Sequence, residues 1–277
     1  MMRYNPSTYS WEMNPEGKYA YGATCVKECP AHLLKDNGAC VRSCPSNKKN
    51  VNGECVPCEG PCPKNCDGVE IVHAGNIESF RGCTVIDGSL TILDTSFRGF
   101  QEVFTNFTFG VRHPRMHPDQ LNVFNTLKEV TGYISIQGSH PDFKNLSYFK
   151  NLEVIGGRQS TEYFAALYIV KSSLVSLNLR SLKSVRAGSI AILENKDLCF
   201  AKSIDWKKII GAHNNLTVHN ILLQSNGDEE MCRSKGLVCD PQCGADGCWG
   251  PGPDECLSCR SYRLEDTCVE SCNTSLG

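Results

Sequence analysis

Leu127-Lys128-Glu129-Val130-Thr131-Gly132-Tyr133-Ile134-Ser135-Ile136 ends in strict alternation, the pattern of a short strand with one buried face. The pattern recurs as Leu182-x-x-Val185-x-x-Gly188-x-Ile190-x-Ile192 and, in part, as Phe149-x-x-Leu152-x-x-Ile155-x-Gly157. Gly88-Ser89-Leu90-Thr91-Ile92 and Leu216-Thr217-Val218 add further short alternating runs. A single unit of this size cannot bury its own apolar face, whereas stacked units bury it continuously. The middle of the chain is therefore expected to be a right-handed leucine-rich β-solenoid, mainly β, with strands lining parallel sheets. Residues 119–130, after Pro118, carry helical spacing at Leu121, Phe124, Leu127 and Val130, and a second helix is expected over 204–210. Thr95–Pro118 and Gln159–Phe164 interrupt the repeat and are expected as irregular loops, where binding groups commonly sit.

This block, from Cys66 to Cys232, holds only Cys83 and Cys199 inside it, although the chain has 18 cysteines. Cys25, Cys29, Cys40, Cys44, Cys55, Cys58, Cys62 and Cys66 crowd in front of it, and Cys239, Cys243, Cys248, Cys256, Cys259, Cys268 and Cys272 follow it. The cysteine-poor block is long enough for an ordinary core. The flanks have too few apolar residues for one, so disulfides must replace it, each contributing ~2–3 kcal/mol by closing a short loop. Three segments follow: 1–65, 66–238 and 239–277. Cys55-x-x-Cys58 has zinc-ligand spacing, but so many closely spaced cysteines favour disulfides over a metal. Asp36-Asn37-Gly38 and Val51-Asn52-Gly53 are turn signals.

Residues 1–24 have no cysteine. Tyr4-Asn5-Pro6-Ser7-Thr8-Tyr9 and Asn14-Pro15-Glu16-Gly17-Lys18-Tyr19 read as two turns with extended chain between them. Tyr9, Trp11, Tyr19 and Tyr21 have no core nearby and suit an interface.

The cysteine density implies an oxidising compartment. Sequons at Asn106, Asn145, Asn215 and Asn273 agree with that. A net charge of −2 argues against electrostatic binding to nucleic acid or to a membrane surface. No apolar run approaches the ~20 residues of a membrane span. The start, Met1-Met2-Arg3-Tyr4-Asn5-Pro6, lacks a signal segment, so the chain is expected to be a piece of a longer exported protein. There is no phosphate loop, H-E-x-x-H or G-x-S-x-G. Pro114 and Pro118 break any helix that would align His113 with His117, which leaves both as loop histidines. Asp228-Glu229-Glu230 reads as a solvated acidic turn. No catalytic residue, metal or cofactor is expected.

Cys239-x3-Cys243-x4-Cys248-Trp249-Gly250-Pro251-Gly252-Pro253-Asp254-Glu255-Cys256-x2-Cys259 resembles the opening of the fourth extracellular domain of the epidermal growth factor receptor family, the ErbB receptor tyrosine kinases. The likeness covers the whole chain and is strongest to the invertebrate members. Tyr4–Tyr9 and Asn14–Cys25 resemble the dimerisation arm of the furin-like second domain, and Cys58-Glu59-Gly60-Pro61-Cys62-Pro63 its end. Val130-Thr131-Gly132-Tyr133-Ile134 and Ser203-Ile204-Asp205-Trp206-Lys207-Lys208 resemble the third, receptor L domain. The insulin receptor family shares the solenoid but continues into fibronectin-type domains.

The resemblance implies the pairs Cys29–Cys40, Cys44–Cys55, Cys58–Cys62, Cys66–Cys83, Cys199–Cys232, Cys239–Cys248, Cys243–Cys256 and Cys259–Cys268. Cys25 and Cys272 would then pair outside the chain. It implies an EGF-like growth factor as ligand, contacted by Gln137 and Val170, with Leu90–Leu93 on the adjacent strand and Phe164 nearby. Glu102 is the candidate acidic partner for a ligand arginine. Tyr4, Pro6, Tyr9 and Trp11 would form the receptor–receptor contact, Trp11 standing where the family has methionine. The parent would cross the plasma membrane once, this part outside the cell, and carry an ATP- and magnesium-dependent kinase elsewhere. A secreted decoy of the same fold, or an insulin-receptor-family ectodomain, is the alternative.

Overall fold

A computed structural model of the chain describes residues 2–14, 17–210 and 221–272. The run Leu216–Val218 and the sequons at Asn215 and Asn273 lie outside the described residues. The chain divides into two compact units, 1–63 and 64–277.

In the first unit, β1 (Met2–Asn5) pairs antiparallel with β2 (Ser10–Met13), with Tyr4 opposite Trp11. Pro6 presets φ for the turn, and the Asn5 side chain accepts a hydrogen bond from the Ser7 amide at 2.9 Å, a local bond that closes it. Three further hairpins follow: β3 (Tyr19–Tyr21) with β4 (Thr24–Val26), β5 (Leu34–Asp36) with β6 (Ala39–Val41), and β7 (Lys48–Val51) with β8 (Glu54–Pro57). Asn37-Gly38 and Asn52-Gly53 turn the last two, all four residues at positive φ, as two-residue hairpin turns require. Their glycine carbonyls accept the Ala20 and Lys35 amides at 2.8 Å, so each hairpin hooks onto the next. Cys29–Cys40, Cys44–Cys55 and Cys58–Cys62 are disulfides. Cys55 and Cys58 are thus spent on sulfur–sulfur bonds, which removes the zinc reading.

The second unit is a solenoid with two parallel sheets. A narrow one runs β18 (Ser184–Val185), β16 (Val154–Ile155), β14 (Glu129–Val130), β10 (Val85–Asp87), β9 (Asn65–Asp67). The broad one runs β11 (Leu90–Leu93), β15 (Ile134–Gln137), β17 (Ala165–Val170), β19 (Ser189–Leu193), β20 (Ile221–Gln224). Leu90, Ile92, Ile134, Ile136, Leu167, Ile169, Ile190 and Ile192 meet Leu127, Val130, Leu152, Ile155, Leu182 and Val185 in one core. Between the sheets the chain turns a tight corner. The Gly132 amide donates to Gly88 O at 2.7 Å and the Gly157 amide to Gly132 O at 2.8 Å. A Cβ on Gly132 would strike Ser89 and the Gly88 carbonyl, so stacked coils need glycine there.

Four expectations change. Residues 118–126 form a 3₁₀ helix, not an α-helix, and Glu129–Val130 are strand. Within it Pro118, Leu121 and Phe124 are three apart and buried, the period of a three-residue turn. The second helix, α2 (Trp206–Ile210), starts two residues later than expected. Thr95–Pro118 is not irregular: it holds α1 (Asp94–Arg98) and the hairpin of β12 (Phe100–Val103) and β13 (Phe109–His113). Asp228 is the N-cap of α3 (Glu229–Ser234), accepting the Glu230 and Met231 amides at 3.0 Å, rather than part of a free turn.

The last cysteine block does not stand apart from the solenoid. Trp249 is 1 % exposed within the solenoid core, edge-on to Trp206 at 5.6 Å, and its carbonyl accepts the Asn178 amide at 3.1 Å. Disulfides Cys66–Cys83 and Cys199–Cys232 close the two ends of the solenoid, while Cys239–Cys248, Cys243–Cys256 and Cys259–Cys268 hold the following block and its hairpin, β21 (Tyr262–Leu264) with β22 (Thr267–Val269). Cys25 and Cys272 are exposed free thiols. No helix among the described residues is long and apolar enough to cross a membrane.

Candidate binding face

Side chains alternate across a strand, so each core residue of the broad sheet has an outward neighbour. Thr91, Ser135, Tyr168, Ala191 and Leu222 stand in register as one outward row. It is largely covered. Tyr168 is 5 % exposed, its hydroxyl donates to Glu162 Oε2 at 3.1 Å, and burial together with that carboxylate pushes the phenol up to about 12. The next row is open: Leu93 pairs with Gln137, and Val170 with Leu193, which pairs with Gln224. Gln137 and Gln224 are exposed; Leu93, Val170 and Leu193 are half-buried. This apolar strip with an amide toward each end runs along the carboxyl ends of five parallel strands.

The expected contact residues scatter. Gln137 and Val170 lie on the open row. Leu90 does not: it is fully buried and points into the core, because it shares the parity of Ile92. Its outward neighbours are Thr91 and Leu93. Phe164 is 80 % exposed, but at the opposite end of β17 from Val170, ~20 Å away along the strand. Phe164 and Tyr163 both take positive φ, 54° and 57°, a costly choice for aromatic residues. The turn is held by the Ser189 hydroxyl donating to Tyr163 O at 2.6 Å.

Glu102 sits on the β12–β13 hairpin, off the sheet, and its carboxylate is engaged internally. Oε1 meets His113 Nε2 at 2.6 Å, and Oε2 accepts the Val111 amide at 3.1 Å. The His113 bond is the main cause that holds this carboxyl below its ordinary value, so it is ionised at neutral pH. The His113 ring lies 3.9 Å from that of His73, tilted by 41°; burial lowers the His73 pKa, with His113 adding to the effect.

His113 and His117 part company. His117 Nδ1 accepts the Asp119 amide at 3.2 Å, and its Nε2 donates to Asp142 at 3.1 Å. With His140, these make the cluster of metal-ligating side chains found among the described residues, and each is accounted for by hydrogen bonds.

On the first unit, Tyr9 is 83 % exposed and Trp11 66 %, Pro6 is exposed, and Tyr4 meets Trp11 edge-on at 5.6 Å. Leu93 lies on the strand expected beside the contact residues, whereas Leu193 and Gln224 were absent from the expected set. Strand parity anchored on Ile192 points to Leu193. Gln224 was missed because β20 begins at Ile221, after the run read as strand.

Three family models match the chain: a furin-like cysteine-rich region over 2–67, a receptor L domain over 82–210, and growth factor receptor domain IV over 238–277. The epidermal growth factor receptor of Apis mellifera is 66 % identical over 272 residues, and that of Drosophila melanogaster 56 % over 273, each across 98 % of this chain. The chain belongs to the epidermal growth factor receptor family. Within this receptor family it stands nearer the insect proteins than human receptor tyrosine-protein kinase erbB-4, which is 39 % identical over 282 residues covering 98 % of the chain. The chain spans about a fifth of the length of the receptors it matches, 21 % of the Apis protein and 19 % of the Drosophila one. The receptor L model falls on the coils that carry Leu93, Gln137, Val170 and Leu193 of the open row.

Proposed function

We propose that this chain is the extracellular, ligand-binding part of an epidermal growth factor receptor, and that residues 66–238 take an EGF-like growth factor on the open row of the broad sheet. One observation carries the reading: Leu93, Gln137, Val170, Leu193 and Gln224 stand side by side on rigid parallel strands, offering half-buried apolar area bounded by amides. Such a strip gains by desolvation and gives a ligand a fixed register. Phe164 and Tyr163 would meet a second part of the ligand. Glu102 orders the hairpin and presents only its remaining lone pairs to a ligand cation. Two copies associate through Tyr4, Pro6, Tyr9 and Trp11, exposed on one hairpin. Ligand binding then favours the associated form by differential affinity, and a kinase on the far side of the membrane reads the result.

The test is calorimetric titration of the secreted chain with a panel of EGF-like domains. Saturable binding to at least one is expected, weakened about tenfold or more by Val170→Asp, since a buried unpaired charge costs ~1.4 kcal/mol or more. Binding indifferent to Val170→Asp and to Gln137→Ala would remove the site from this row. Failure of every EGF-like domain to bind the folded chain would remove the ligand class.

A further inference from the structure

The loop between β12 and β13 is a five-residue bulged turn, Phe104-Thr105-Asn106-Phe107-Thr108. The Phe107 amide donates to Phe104 O at 2.8 Å, the Phe104 amide donates to Thr108 O at 2.9 Å, and Phe107 takes φ 61°. A turn closed by one left-handed residue is an ordinary hairpin solution, and it normally selects glycine. Here phenylalanine takes that place and leaves its ring 87 % exposed.

The geometry brings the first, third and fifth residues to one face. The Thr108 hydroxyl donates to Asn106 Oδ1, and so does the Thr108 amide at 3.1 Å. Gly110, two residues on and so on the same face of β13, has no Cβ; one would lie 2.9 Å from Phe104 Cε2. The Phe104 ring therefore lies over Gly110, on the face shared with Thr108. It is 55 % exposed, and Asn106 and Thr108 are exposed as well.

We propose that Asn106 carries an N-linked glycan whose first N-acetylglucosamine stacks on Phe104, making the sugar a structural layer of this hairpin. The bond forms between Asn106 Nδ2 and the anomeric carbon of an oligosaccharide donated from a lipid pyrophosphate. The anomeric carbon–phosphate bond breaks, the lipid pyrophosphate leaves, and Nδ2 gives up one proton; nothing is oxidised or reduced. The sugar's axial C–H bonds, slightly positive, then face the negative π face of Phe104.

The molecule contains its own control. Phe143-Lys144-Asn145-Leu146-Ser147 has the same spacing of phenylalanine, asparagine and hydroxyl residue. There Phe143 is fully buried in the solenoid core, and Asn145 is only half-exposed, accepting the Ser147 amide at 3.0 Å. The ring two residues before the asparagine is thus out of a sugar's reach at that site.

The chain is to be secreted from a glycosylating eukaryotic host and its glycans trimmed to the first sugar. Mass spectrometry is expected to find Asn106 occupied, with Phe104→Ser lowering occupancy at Asn106 and leaving Asn145 unchanged. Amide exchange in the peptide spanning 100–113 is expected to be about tenfold slower with the sugar than in Asn106→Gln, a local stabilisation. In the Phe104→Ser background the difference should vanish. Independently of any variant, the acetyl methyl protons of that sugar should be shifted upfield by the Phe104 ring current. An empty Asn106, an exchange difference indifferent to Phe104, or an unshifted acetyl methyl would each overturn the proposal.

Discussion

Glu255 sits in the Trp249 block, 7 % exposed, with Oε2 lacking a hydrogen-bond partner and Arg180 Nε 3.4 Å from Oε1. Burial raises its pKa above 4.5, and Asn178 and Arg180 only partly offset that. A raised carboxyl pKa favours the folded state at low pH, and stability is lost as pH climbs from 4.5 through the folded value. Glu255→Gln should therefore raise the melting temperature by ~1–2 °C at pH 7.5, and the gain should shrink toward pH 4. A lower melting temperature at pH 7.5 would show the Arg180 contact to outweigh burial. At the same scale, Leu90 and Leu93 illustrate how strand parity separates a core side chain from one on the open row. Both are leucines on one strand, and only the sheet's stacking partner distinguishes them.

The β12–β13 hairpin replaces what reads in sequence as a long Phe-rich loop. Its alternation is obscured because Phe104, Phe107 and Phe109 face solvent instead of a core. What secures it at its base is polar and aromatic: Glu102 to His113, His113 on His73, and Phe100 edge-on to His73 at 5.5 Å. Burial holds His73 below 6.5. A histidine kept neutral in the fold binds fewer protons than in the unfolded chain, so its contribution is intact above pH 6.5 and declines below it. Proton titration by NMR should place the His73 midpoint under 6.5, and His73→Phe should flatten the loss of hairpin protection between pH 7 and pH 5.5. A His73 midpoint above the ordinary value would mean that the Glu102 charge governs it instead. The 3₁₀ helix of 118–126 has a related lesson. Its buried Pro118, Leu121 and Phe124 recur every third position, and a period of three belongs to a tighter helix than the α form.

Across the molecule, Trp249 joins the last cysteine block to the solenoid. Trp249→Ala should cost ~3–5 kcal/mol of stability in the second unit, read as a lower urea midpoint by circular dichroism. A midpoint unchanged by that substitution would make the block an independent tail. Composition and spacing alone dictate a great deal here. Two cysteine-dense blocks must be cross-linked, because they lack apolar residues to form a core. A recurring run of alternating aliphatics with a corner glycine must stack, because no single copy can bury its own face. The motifs around Cys239–Cys259 and Tyr4–Tyr9 reach the family directly. Which cysteine meets which is not contained in the spacing, since many pairings satisfy the same count. Nor is the open row of the broad sheet, because it needs strands distant in sequence to lie in register. Glu102 turns to His113, Leu90 turns inward, and Trp249 crosses into a neighbouring core for one reason. Each choice minimises buried unpaired charge and exposed apolar area over the packed chain, and no local stretch contains both partners.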